Sequence, residues 1–175
     1  MKPISFLSPL VALLSIIFVS GCGKSDPSSA AASAPAATAP AAAKSAPAEG
    51  RAVAITAGDS MKFDLTEIRA KPGEALAVTL KNTGTVPKFS MGHNWVLLTT
   101  GVDVNEFSEA TGQAAKTDYV PASFKDRILA STKLLGPGES DTARFYAPSK
   151  PGHYVFLCSF PGHVQVGMRG DLIVE

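Results

Sequence analysis

The C-terminal part of the sequence places three soft metal-binding side chains close together. Cys158, His163 and Met168 fall within eleven positions and offer a thiol, an imidazole and a thioether. An apolar run of the kind that forms a buried strand precedes them, and Pro161-Gly162 predicts a turn before the next strand. We therefore expect one loop between two strands to direct the three side chains toward a common point.

A second imidazole is available at the start of another apolar run, in the segment from Ser90 to Trp95. Two imidazoles, a thiolate and a weak axial thioether form the ligand set typical of type 1, or blue, copper, and they suit a metal that alternates between its +1 and +2 states. The sequence therefore predicts a single copper ion held by His93, Cys158, His163 and Met168.

Each of these residues, considered alone, could have a structural role instead of binding a metal. An isolated cysteine is most often a buried apolar side chain, and methionine commonly fills irregular gaps in a core. The Cys-x4-His-x4-Met spacing favours metal binding over that explanation. Of the remaining candidates, His153 is assigned to structure or surface, Met61 and Met91 to packing, and Trp95 to the core.

The elements around these residues have the pattern of an all-β sandwich, with short β-type runs separated by turns. Turns are expected at Pro72-Gly73, at residues 136–138 and at Pro151-Gly152. Helical spacing over residues 102–115 predicts one short helix. The expected strands are residues 53–56, 63–68, 75–80, 94–99, 127–131, 142–146, 153–157 and 171–174.

From about residue 58 to 174 the sequence resembles an azurin, within the cupredoxin family. The resemblance is carried by residues 91–95, by Thr132-Lys133-Leu134 and by residues 158–163. It implies a Greek-key cupredoxin β-sandwich with one short helical insertion, and it implies an electron carrier rather than an enzyme.

The same resemblance assigns roles around the metal. It makes Met168 the axial ligand and the other three side chains trigonal ligands, with the carbonyl of Gly92 as a weak fifth contact. It makes Asn94 the residue that ties the two ligand loops together and helps to donate hydrogen bonds to the cysteine sulfur. Phe160 and Pro161 are expected to shield the copper from water.

The sequence departs from azurins at two points. Four residues separate His163 from Met168, whereas azurins usually have three, and this spacing is closer to that of auracyanins and plastocyanins. The loop shape and the reduction potential therefore stay open. Azurins also carry a disulfide near the start of the domain, for which this domain has no cysteine, so packing alone must stabilise that region.

The loops around His163 are expected to form an apolar cap through which electrons leave. Lys88 is the only charged residue from Gly84 to His93, and no charged residue lies between Cys158 and Met168. Such a cap suits brief encounters of a monomeric carrier with redox proteins, such as c-type cytochromes or a terminal reductase or oxidase. The cap candidates are Val86, Met91, Pro161, Val164 and Val166.

Two other functions are weighed against electron transfer. Copper delivery or buffering is the main alternative, but the chain lacks an exposed Met-rich or His-rich tract. An enzyme such as a copper nitrite reductase needs a second copper, usually with a histidine next to the cysteine, where this chain has Ser159. A formal net charge of +1 gives no basis for binding nucleic acid.

The N-terminal part has the pattern of a bacterial lipoprotein. Residues 1–21 resemble a signal peptide that ends at a lipobox, so Cys22 is expected to carry the lipid. An ordinary secretory signal or a signal anchor is the alternative. Residues 22–50, rich in Ala, Ser and Pro, predict a disordered tether, and residues 51–175 are expected to form the copper domain. Gly23 favours the outer membrane over the inner membrane, and the domain is expected to face the periplasm.

Overall fold

The computed structural model describes residues 46–175. The predicted signal peptide, Cys22 and most of the predicted tether lie outside the described residues. In the described part the chain forms eight strands and two α-helices, and none of its helices has the length and apolarity required to cross a bilayer. The elements are β1 (Arg51–Ala57), β2 (Glu67–Ala70), β3 (Ala75–Asn82), α1 (Lys88–Met91), β4 (Val96–Leu98), α2 (Val104–Thr111), β5 (Ile128–Ser131), β6 (Ser140–Tyr146), β7 (Gly152–Leu157) and β8 (Arg169–Val174).

The strands form two sheets, as expected for an all-β sandwich. The smaller sheet has the order β1-β3-β6, with β1 parallel to β3 and β3 antiparallel to β6. The larger sheet has the order β2-β8-β7-β4-β5, in which only the β2–β8 pair is parallel. Neighbouring strands are often distant in sequence, so several connections cross from one sheet to the other.

The main core lies between the two sheets and is centred on Trp95, whose side chain is fully buried. Its ring lies 5.7 Å from that of Phe145 on β6 and 5.5 Å from that of Phe156 on β7. One aromatic side chain thus joins both sheets, and burial of this apolar surface is the main force that holds them together. The expectation that Trp95 belongs to the core is confirmed.

Strand β4 is buried on both faces, which explains its continuous apolar sequence. Leu97 faces the main core, whereas Val96 and Leu98 face a second apolar cluster. That cluster is covered by Phe107 of α2 and by Phe124, whose rings meet edge to face at 5.1 Å. The helical insertion therefore covers the outer face of the strand that follows His93.

The structure differs from the expected strands mainly between residues 57 and 70. A strand was expected over residues 63–68, but Phe63 makes only an isolated bridge to Ala57, and β2 begins at Glu67. The side chain of Asp64 accepts a hydrogen bond of 2.7 Å from the Thr56 amide, and this interrupts the strand. The strand expected over residues 94–99 is likewise shorter in the structure, where β4 spans Val96–Leu98.

The helical part also differs from expectation. The single predicted helix over residues 102–115 is shortened to α2, since the Asp103 side chain caps it by accepting from the amides of Asn105 and Glu106. Two short 3-10 helices, Ala115–Thr117 and Ala122–Arg127, follow α2, and neither they nor α1 were predicted. These additional elements surround the two segments that carry the predicted ligands.

Candidate metal centre

Three of the predicted ligands converge in the folded chain. His93 lies just before β4, Cys158 directly follows β7, and His163 lies in the loop between β7 and β8. Their ligand atoms all lie within 4.8 Å of one another, and the Cys158 Sγ is 3.4 Å from the His163 Nδ1. The exposed fractions are 0 % for His93 and Cys158 and 3 % for His163, so the centre is closed to bulk water.

His93 is held in place by its backbone and by the glycine before it. Its amide and carbonyl both bond to Leu135, at 3.1 and 2.8 Å. A Cβ atom on Gly92 would lie 2.7 Å from the Lys88 carbonyl oxygen and 2.8 Å from the Leu134 Cγ, so only glycine fits there. The close approach of Gly92 to α1 thus sets the point at which His93 enters the site.

Met168 is fixed beside two of the converging residues through backbone hydrogen bonds. The Cys158 amide donates to the Met168 carbonyl at 3.1 Å, and the Met168 amide donates to the His163 carbonyl at 2.9 Å. Gly162 and Gly167, with φ of +89° and +86°, allow the loop to turn back in this way. Met168 is fully buried, and its backbone lies beside those of Cys158 and His163.

Asn94 joins the two segments that carry the converging residues. Its side-chain amide group donates to the Ser159 hydroxyl at 2.7 Å and to the Asp118 carbonyl at 2.9 Å. Its side-chain oxygen accepts from the Ser159 amide at 2.8 Å. The Asp118 carboxylate in turn accepts from the Leu134 amide at 3.1 Å, so a third segment supports the same junction.

An aromatic layer covers the histidine side of the centre. The Phe160 ring lies 4.7 Å from the His163 ring, and the Tyr119 ring contacts Phe160 edge to face at 4.9 Å. Pro161, predicted with Phe160 as a shield, is exposed on the outside of the loop. Tyr119 and Asp118 were not predicted, because no motif marks them. Both adopt left-handed backbone angles that bring them to the site.

Burial determines the protonation of the three converging side chains. Burial raises the pKa of the Cys158 thiol to about 12, although the backbone amides of Asn94 and Phe160 oppose the shift. Burial, and then the nearby His93, lowers the pKa of His163 to about 4. Burial also lowers the pKa of His93. At neutral pH the imidazoles are therefore neutral, which leaves their nitrogen lone pairs free to bind a metal.

The centre fits a soft metal ion. Both ring nitrogens of His93 are buried without a hydrogen-bond partner. The Gly58 carbonyl, which opposes the shift in the pKa of His93, does not reach hydrogen-bond geometry with either nitrogen. Buried polar atoms that lack a partner are costly, and coordination would relieve this cost. A thiol and two imidazoles are donors that suit copper, and a thioether from Met168 would complete the donor set of type 1 copper.

The chain is similar in sequence to known bacterial proteins. The chain is 39 % identical over 127 residues to an azurin of Pseudomonas fluorescens biotype C, which covers 70 % of this chain and 97 % of the azurin. It is 40 % identical over 115 residues to the outer membrane protein H.8 of Neisseria gonorrhoeae, covering 64 % and 61 % of the two chains.

A solved structure supports the same relationship at the level of the fold. Auracyanin from Roseiflexus castenholzii superposes with a TM-score of 0.63 at 38 % identity, over 71 % of this chain and 96 % of the auracyanin. The family model described as copper binding proteins of the plastocyanin/azurin family matches residues 51–175. Residues 51–175 also contain the buried Cys-His-His cluster, and the chain therefore belongs to the plastocyanin/azurin family of copper-binding proteins.

Proposed function

We propose that this protein shuttles single electrons between redox partners in the bacterial cell envelope, through one type 1 copper held by His93, Cys158, His163 and Met168. The observation that carries the proposal is the convergence of two neutral imidazoles and a thiol in a closed centre, with their ligand atoms within 4.8 Å. The unpartnered nitrogens of His93 support it, because they leave a buried donor available for the metal.

Copper bound in this centre supplies a one-electron couple between Cu(II) and Cu(I). The surrounding residues keep the ligands nearly fixed during that change. Asn94 links the backbone next to His93 with the backbone next to Cys158, and Leu135 fixes His93 from the opposite side. A preorganised, dry site needs little rearrangement when charge changes, and this favours rapid electron transfer.

The experiment is a spectroscopic titration of the purified protein with copper. We expect one Cu(II) per chain, an intense blue absorption band, and reversible bleaching by a one-electron reductant. Cys158→Ser should abolish the blue band, whereas His153→Gln, at an exposed position on β7, should retain it. A colourless Cu(II) complex of the wild-type protein would refute the proposal.

Copper delivery is not favoured by the geometry, because every predicted ligand side chain is at most 3 % exposed. A delivery protein must pass its metal to an acceptor through exchange of ligands. An enzymatic role with a second copper is also not favoured, since the Ser159 position next to Cys158 is buried and bound to Asn94. Copper loss to an apo acceptor faster than electron exchange, or turnover of nitrite, would reverse these conclusions.

The partners proposed for this carrier are redox proteins such as c-type cytochromes or a terminal reductase or oxidase, which a monomer would meet through its cap. His163 retains 3 % exposure and forms the electron exit. Phe89, on the helix that leads to Gly92 and His93, is 81 % exposed, and Val166 in the ligand loop is 45 % exposed. Stopped-flow electron exchange with a reduced c-type cytochrome tests this, and Phe89→Ser should slow the reaction without changing the blue spectrum.

The N-terminal segment is proposed to anchor the domain to a membrane through a lipid on Cys22, with the copper domain facing the periplasm. The lipobox pattern supports this, and a relative named outer membrane protein supports the outer membrane in particular. Expression with a radiolabelled fatty acid should label the wild-type chain but not Cys22→Ser. Membrane fractionation then identifies the membrane, and a wild-type chain without label would contradict the anchor.

A further inference from the structure

The loop between the two proposed ligands His163 and Met168 contains four residues, and its centre is attached to the protein body from two sides. On one side, the Gln165 side-chain amide donates to the Ser108 hydroxyl at 2.7 Å. On the other side, the Lys62 ammonium donates to the Val166 carbonyl. These contacts come from residues 57 and 104 positions away, so folding alone brings them to the loop.

The Ser108 contact ties the loop to a firmly packed helix. Ser108 belongs to α2 and is 9 % exposed, and its neighbour Phe107 is fully buried in the second apolar cluster. Val164, at the start of the same loop, packs against that cluster as well. One half of the loop therefore rests on the helical insertion through an apolar contact and a hydrogen bond.

The Lys62 contact ties the other half of the loop to the main core. Lys62 precedes Phe63, which is 5 % exposed and whose ring lies 5.7 Å from that of Phe156, so its backbone position is well defined. The Lys62 Nζ also lies 3.0 Å from the place where a Cβ on Gly167 would stand. The ammonium thus covers the end of the loop next to Met168. A hydrogen bond from a charged donor is about twice as strong as a neutral one.

The attachments of the loop matter because the loop sets the position of Met168 relative to His163. Met168 bonds through its amide to the His163 carbonyl, while the residues between them are largely exposed. Any tilt of the exposed part would change the position of the Met168 sulfur relative to the His163 ring. Metal sites lose definition when the residues around their ligands leave them loose.

We propose that Lys62 and Gln165 are positioning residues that clamp the ligand loop between the core and α2, and so fix the Met168 thioether relative to His163. This inference rests on the proposed copper function. It also accounts for a charged residue at the cap, where the sequence had indicated an uncharged surface, because Lys62 reaches the loop from a separate part of the chain.

The test uses the full-length protein in its copper-free and copper-loaded forms. In the copper-free protein, Gln165→Ala, which changes no charge, should make the amides of Val166, Gly167 and Met168 exchange with solvent roughly two- to tenfold faster, the range expected for loss of one net hydrogen bond. In the Cu(II) protein, the electron paramagnetic resonance lines should broaden, because the axial sulfur occupies a wider range of positions. Ser108→Ala removes the same bond from the helix side and should behave alike.

Lys62→Met should show both the faster amide exchange and the broader resonance lines. Lys62→Arg keeps a cationic donor and should largely restore the wild-type exchange rates and line widths. Lys150→Met, just before the end of β7 that is opposite Cys158, is the charge-matched control and should change neither the amide exchange nor the line width. If exchange and line width stay at wild-type values in Gln165→Ala, Ser108→Ala and Lys62→Met, the clamp does not exist. If only the lysine variant shifts the reduction potential, with unchanged exchange, Lys62 acts through its charge alone and the clamp is likewise refuted.

Failure of the proposed function would look different. A wild-type protein that forms no blue Cu(II) complex would remove the copper assignment, whereas the amide exchange of the copper-free variants would still report on the clamp.

Discussion

Asn94 and Ser159 exchange two hydrogen bonds: the Asn94 amide group donates to the Ser159 hydroxyl at 2.7 Å, and the Ser159 backbone amide donates to the Asn94 side-chain oxygen at 2.8 Å. Both residues are at most 1 % exposed. Asn94 follows His93 and Ser159 follows Cys158, so this pair fixes the spacing of two proposed ligands from different loops. Burial makes the pair strong, since water cannot replace either bond.

Replacing Asn94 should destabilise the fold more than replacing its partner. Asn94→Ala removes three hydrogen bonds and leaves the buried Ser159 amide and hydroxyl without them, so we expect a loss of about 3 kcal/mol. Ser159→Ala keeps the backbone bond to Asn94 and should cost about 1 kcal/mol. Urea unfolding of the copper-free protein measures both free energies. Equal losses would show that the junction does not depend on the Asn94 side chain.

Gly92→Ala should disturb the entry of His93 into the site. The added Cβ would stand 2.7 Å from the Lys88 carbonyl oxygen, so α1 or the His93 backbone must move, at a cost of about 1–3 kcal/mol. Gly112→Ala is the matched control, because its Cβ would meet only the Glu109 carbonyl oxygen at 3.7 Å and its φ of −57° suits alanine. Urea unfolding and the Cu(II) resonance spectrum should change for the first variant only.

Much of the architecture was predictable from the sequence because its signals are local. A continuous apolar run marked the strand that became β7, and glycines of positive φ at residues 73 and 138 were found at predicted turns. The cluster of Cys158 and His163 with a distant His93 was predictable because few other soft ligands exist in the chain, and the fold places these three together.

The missed features depend on contacts that no local pattern encodes. Strand β2 pairs in parallel with β8 about a hundred residues later, so the apolar pattern around Phe63 predicted the wrong bounds for it. Asp118 and Tyr119 reach the site through two successive left-handed residues, which are uncommon outside glycine. Lys62 reaches Val166 only because the folded chain brings the segment after β1 against the ligand loop.

The copper-free protein should lose stability as the pH falls from about 6.5 to about 4. In the unfolded chain the His163 imidazole binds its proton near pH 6.5, whereas burial and the nearby His93 lower its folded pKa to about 4. Between these values the unfolded state holds more protons, so acid favours unfolding. Urea midpoints at several pH values measure this, and His163→Gln should flatten the dependence. A wild-type midpoint that rises in acid would contradict the assignment.

Copper binding at neutral pH should release one proton per ion. Burial raises the pKa of the Cys158 thiol to about 12, so the thiol is protonated in the copper-free protein and must ionise to bind. The imidazoles are already neutral, because burial lowers the pKa values of His93 and His163. Calorimetry in buffers of different ionisation enthalpy measures the number of protons released per copper ion. Release should increase toward pH 4, as His163 becomes protonated, and release of two or more protons at pH 7 would contradict this arrangement.

Met168→Leu should retain the blue colour and raise the reduction potential. Leucine has nearly the volume of methionine, so the fully buried position should remain packed. The thioether is a weak axial donor, and its loss should disfavour Cu(II), which prefers more ligands, more than Cu(I). A tenfold change in the redox equilibrium corresponds to about 59 mV for one electron, and we expect a positive shift of at least that order. Cyclic voltammetry measures the potentials, with Met91→Leu as the control. Equal potentials in the two variants would show that Met168 is not a ligand.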